Sequence, residues 1–267
     1  MAQMISNFPI IGRIGELSSY RMRGSDKIIV RMKGGADKKK IKNAPEFANT
    51  RRINAEFGGR SASSSTIMRA IFPLKALADY NIAGPLNALI KPIQVMDSES
   101  DWGQRNVYIT RNPKLLEGFS LNKKNGFDTI VRNPISYTLS REERSATVNF
   151  PAMIPGINFF VPPPAKSFYS FVAVLGVVPD FKFDKDGYKA VDKIENTSDD
   201  SMSEWYSVLR GSAAVDLTVR IPQKNFTPES ENFTLLLSIG IRFGVPGINE
   251  DIKQVKYAGA GKILVAG

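Results

Sequence analysis

Arg21, Arg23, Arg31, Lys33, Lys38, Lys39, Lys40, Lys42, Arg51, Arg52 and Arg60 are the side chains whose type and spacing could do chemistry. That chemistry is charge neutralisation. Lysine and arginine in such density hold phosphates or another polyanion and release its counterions. Alternatively, they pair with acidic groups on neighbouring subunits. Residues 1–70 hold 14 Lys+Arg against 5 Asp+Glu, a balance of +9, and the whole 267-residue chain is +10. An asymmetry this steep concerns partners rather than fold. Tyr20, Phe47 and Phe57 are too sparse for the stacking ladder of a single-strand binder.

Other chemistry is thinly supplied. Cysteine and histidine are both absent, which removes disulfides, thiolate zinc sites, thiol nucleophiles and the commonest general base and metal ligand. KFDKDGYKAVDK fails as a calcium loop, because Lys182 and Lys193 stand where carboxylates are needed. Asp97, Glu99 and Asp101 read as a solvated acidic turn rather than a cation site. Gly259-Ala260-Gly261-Lys262 lacks the first glycine and the Ser/Thr of a phosphate loop and reads as a turn before a last strand. The adjacent carboxylates Glu142-Glu143 and Asp199-Asp200 lie among turn residues. The expectation is a non-enzymatic chain with no cofactor and no metal.

The elements that must position the basic side chains follow from local pattern. Residues 9–33 alternate β-formers with polar residues around Gly24-Ser25-Asp26, which predicts a hairpin of strands near 11–23 and 27–33. Arg21 and Arg23 would then share a face, as would Arg31 and Lys33. Asp37 is placed to cap a short helix through Lys38, Lys39, Lys40 and Lys42. Pro45 suits the start of a second helix ending at Gly58-Gly59. A third helix over 64–79 is expected to kink at Pro73, and a fourth spans 84–96 with Pro92 inside.

From Ile135 onward the pattern is β. Strands are expected at 135–139, 146–150, 168–178, 188–194, 205–209, 213–221, 233–243 and 262–266. Asp186-Gly187 is a hairpin signal between FKF and YKAV. The fold class expected is α+β. A basic N-terminal β-arm and helical block (1–127) precede an antiparallel β-sandwich (128–267).

The opening GRIGELSSYRMRGSDKIIVRMKGG, followed by IKNAPEFANTRRINAEFGGRS, resembles the N-terminal signature of an uncharacterised family of bacterial proteins. Those proteins similarly join a basic opening to a β-rich remainder ending in a strand like GAGKILVAG. The likeness covers about the first 75 residues well and the rest loosely. It implies the two-part organisation and no activity. The function expected is a structural subunit that self-associates into a homomeric filament, tube or shell, its basic segment making intersubunit or polyanion contacts. The alternative is a nucleic-acid-binding protein gripping phosphates with the same segment. With no signal-peptide pattern and no apolar run of membrane-spanning length, the chain is expected to be made in the cytoplasm without membrane insertion.

Overall fold

Gly15 breaks the first strand that the alternation of residues 11–23 predicts. Its φ is +56°, a conformation glycine adopts without a Cβ clash, and it turns the chain within two residues. Ile14 therefore lies opposite Leu17, and one expected strand becomes two. The strands of this region are β1 (Ala2–Met4), β2 (Gly12–Ile14), β3 (Leu17–Arg21) and β4 (Ile28–Met32). They form an antiparallel sheet of order β1-β4-β3-β2 rather than a two-stranded hairpin.

The computed structural model describes residues 2–4, 10–21, 27–32, 34–164, 166–185, 187–194, 198–222, 231–248 and 251–267. Arg23, Lys33, Asp186 and the expected Gly24-Ser25-Asp26 turn lie outside them. The chain is α+β with antiparallel sheets, and it divides into two compact units, residues 1–51 and 52–267.

The first unit continues from the small sheet into α1 (Lys38–Asn43). Its N-cap is Asp37, whose carboxylate accepts the Lys39 N–H at 3.3 Å, as the sequence predicts. Pro45–Phe47 forms a 3-10 turn that runs directly into the next helix, so the helix start expected at Pro45 is present.

α2 (Ala48–Ala70) is one helix of 23 residues and spans the division between the units. It does not stop at Gly58-Gly59. Neither glycine has a positive φ, and the residues expected to open a third helix belong to this one. Its buried residues include Glu56, Gly59, Arg60, Ser63, Ser64, Thr66, Ile67 and Ala70, so its inner face is polar until the last turn. An apolar stripe was the signal sought, and most of this helix has none. Pro73 does not kink a helix either. It opens a 3-10 segment over Phe72–Leu77, where a missing N–H is harmless. α3 (Ala83–Val95) runs close to its expected bounds with Pro92 inside it.

Two apolar clusters organise the second unit, and β7 (Phe168–Pro179) lies between them. Phe171, Ala173, Leu175 and Val177 enter one cluster, while Val172, Val174 and Val178 enter the other. That is the period-two alternation of a strand buried on both faces, which reads in sequence as an unbroken apolar run. β7 pairs with β10 (Ser198–Met202), β11 (Tyr206–Ser207) and β13 (Phe233–Pro246), and β13 pairs with β14 (Ile252–Ala266).

The first cluster joins this sheet to a second one of order β12-β6-β5, made from β5 (Ser136–Ser140), β6 (Ser145–Phe150) and β12 (Val215–Arg220). Phe150 stacks on Phe171 at 4.3 Å between centroids, and Tyr169 meets Phe159 at 4.4 Å. The second cluster gathers Ile67, Leu74, Leu77, Leu86 and Ile90 of the helical segments against Val172, Val174, Leu236 and Ile263.

β8 (Phe181–Asp184) and β9 (Gly187–Ala190) form the hairpin expected between FKF and YKAV, though β9 ends before residue 194. The residues between 97 and 134 form short turns and one brief helix, α4 (Phe127–Ile130). Two expected turns are strands. Asp199 and Asp200 lie in β10, and Gly259 lies inside β14, near a register shift between β13 and β14. Gly259 has φ +127°, so the glycines there bend a long strand instead of starting a short one. No helix among the described residues is long and apolar enough to cross a membrane.

Candidate polyanion and intersubunit surface

The described basic side chains do not form one surface. In the N-terminal sheet, Ser18 opposes Arg31 and Arg21 opposes Ile28. Residues 18 and 21 of a strand point to opposite faces, so Arg21 and Arg31 do too. Arg31 lies over the Tyr20 ring at 5.5 Å. The same register places Arg13, absent from the expected set, opposite Ser18. Arg13, Ser18 and Arg31 thus form a single cross-strand row. The usable signal in sequence was the mirror symmetry of Arg13 and Ser18 about the Gly15-Glu16 turn.

On α1, Lys38 and Lys42 stand one turn apart on the same side and Lys39 about 100° around from Lys38. Lys40 turns away to Glu46, at 3.4 Å. Arg51 is occupied: its Nη1 donates to the carbonyls of Ile41 and Ala44 at 2.9 and 2.8 Å. It thereby satisfies acceptors that the end of α1 leaves without intrahelical donors.

In the second unit, Arg52 lies over the Trp102 ring at 5.3 Å. Arg60 is buried, 5.8 Å from the Phe57 ring centroid. It borders a polar network that the sequence reading missed. Glu56, only 4% exposed, accepts Arg105 Nε at 2.6 Å, Arg105 Nη2 at 3.0 Å and the Gly103 N–H at 3.0 Å. The Tyr188 hydroxyl donates to the Arg105 carbonyl at 2.7 Å, and Gln94 Nε2 donates to that carbonyl and to the hydroxyl.

These contacts set protonation. The Glu56 hydrogen bonds raise the Arg105 guanidinium above its ordinary value despite burial. Burial first, then the Glu56 charge, pushes the Tyr188 phenol up to about 12. A spaced Glu, Arg and Tyr on three different elements leaves no local pattern to find.

The acidic stretch also differs from expectation. Asp97 is buried rather than solvated. Its carboxylate accepts the N–H groups of Glu99, Ser100 and Asn106. Burial pushes this carboxyl up, but the Asn106 N–H, the Ser100 hydroxyl and the two other N–H groups outweigh it and hold it low. At Asp180 burial wins over the Thr110 hydroxyl and N–H donors, and that carboxyl is raised. Both carboxylates organise loops.

A scan against family models and searches of the curated proteins and of the solved structures return no match.

Proposed function

We propose that this chain is a non-enzymatic structural subunit, a basic N-terminal β-arm carried on a β-sandwich, that self-associates into an ordered homomeric assembly such as a filament, tube or shell. The observation that carries this reading is the cross-strand row Ile14–Leu17–Met32. Register aligns the three on one face of the small sheet, and they are 59%, 48% and 72% exposed. Exposed apolar side chains in such a row gain stability on burial, and the edge strands of a sheet are templates for pairing with another chain. Another copy of this chain supplies both kinds of complement.

On this reading the purified protein elutes far above 29.5 kDa and shows discrete particles by negative-stain microscopy. Ile14→Gln with Met32→Gln, both exposed positions of this row, lowers the assembled mass while leaving the melting temperature of the larger unit unchanged. A wild-type chain that stays monomeric at high concentration and low salt refutes the reading.

A second reading, nucleic-acid binding, is favoured by the open lysine side of α1. Each phosphate contact adds about 0.9 to the log–log salt slope. Because Lys40 pairs with Glu46, the triple change Lys38→Gln, Lys39→Gln and Lys42→Gln lowers that slope by up to about three units, and Lys40→Gln by far less. An unchanged slope in the triple variant removes α1 from any nucleic-acid contact.

A further inference from the structure

We infer that Arg13, Ser18 and Arg31 form a binding site for a ligand carrying two linked phosphate groups, such as a diphosphate moiety. This goes beyond self-association, which rests on the exposed apolar row. Opposed residues of antiparallel strands point to one face, and the register Arg13–Ser18–Arg31 runs across β2, β3 and β4. Two strand spacings of about 4.8 Å separate the arginine Cα atoms, roughly 10 Å in all. Long side chains from both sides can therefore converge above the serine hydroxyl.

Among the described residues no carboxylate compensates these two like charges held across one hydroxyl, and neither arginine is in an ion pair. Glu16, the acidic residue of the turn, pairs with neither. A groove of about 370 Å³ lies here, lined by Arg13, Leu17, Ser18, Arg31 and Met32 with Gly15 and Gly34. Each guanidinium presents parallel N–H donors that match phosphate oxygens bidentately, and the hydroxyl adds a neutral donor between them. Two forks and a central donor suit two joined phosphates better than one.

Titration calorimetry of the full-length protein with sodium pyrophosphate tests this, with succinate as a phosphate-free dianion and a short single-stranded oligonucleotide as a polymeric phosphate source. Pyrophosphate is expected to bind, and Arg13→Gln and Arg31→Gln each to weaken it about tenfold or more, the worth of one charge-assisted contact. Arg13→Lys and Arg31→Lys keep the charge but not the fork. They are expected to restore only part of the affinity, and they stand in for a glutamine variant that loses its fold. Lys38→Gln is expected to change nothing, and no arginine variant to change the assembled mass.

Oligonucleotide binding with no binding of free pyrophosphate overturns the proposal, because the phosphates of a nucleic-acid strand are separated by sugars rather than joined. Absence of both binding signals, equal affinity in wild type and both glutamine variants, or succinate binding as tightly as pyrophosphate overturns it.

Discussion

Glu56→Ala is expected to lower the unfolding free energy by roughly 3–5 kcal/mol, the usual cost of removing one partner of a buried ion pair. The carboxylate is the acceptor for both Arg105 donors and for the Gly103 N–H. Its removal leaves a guanidinium whose side chain is only 20% exposed without its counter-charge, and an amide without its acceptor. Arg105 also fixes the loop whose carbonyl receives the Tyr188 hydroxyl, so the loss spreads to β9. Urea unfolding at neutral pH measures the effect. Changing both partners to methionine is expected to cost less than Glu56→Ala alone, because no charge is then stranded. The exposed Lys40–Glu46 pair supplies the contrast: Lys40→Gln should fall within about 1 kcal/mol of wild type. A Glu56→Ala chain as stable as wild type would remove the network from any account of how α2 is held.

The β-rich part was legible because its signals are local. β7 and β13 are long apolar runs bounded by turn residues, and burial on both faces gives such runs one reading. Asp37 and the following lysines mark α1 by the same short-range logic.

Failures cluster where a residue's role is set by a distant partner. Asp199 and Asp200 look like turn formers, yet they lie in β10, paired along β7. Asp97 looks solvated and is instead the acceptor at the centre of a loop. Arg13 stands apart from the basic cluster in sequence and joins Arg31 only through strand register. Arg51 and Arg60 belong to that cluster by sequence but are engaged within their own units. Composition counts all of these charges alike, and only tertiary contact separates those facing solvent from those already occupied.

The Gly58-Gly59 pair shows the same limit and gives a sharp experiment. As a helix stop, one of the two glycines would take the left-handed conformation, and substituting that one would disturb the turn. Within the continuous α2 they differ. A Cβ on Gly58 meets nothing within 4 Å. One on Gly59 would lie 2.5 Å from Tyr188 Cε1 and 2.7 Å from Cδ1 and Cζ. That ring cannot easily retreat, because its hydroxyl is tied to the Arg105 carbonyl at 2.7 Å and to Gln94 at 3.1 Å.

Gly58→Ala is therefore expected to stabilise the chain by about 0.5–1 kcal/mol through the helix preference for alanine. Gly59→Ala is expected to destabilise it by about 1–3 kcal/mol through overpacking. Thermal unfolding should separate the two by several degrees, at about 2–4 °C per kcal/mol for a chain of this size. In a Tyr188→Ala background the ring is gone, and Gly59→Ala should become as favourable as Gly58→Ala, a coupling that a double-mutant cycle measures directly. Destabilisation by Gly58→Ala in the native background would restore the helix stop. A neutral Gly59→Ala would place Tyr188 elsewhere.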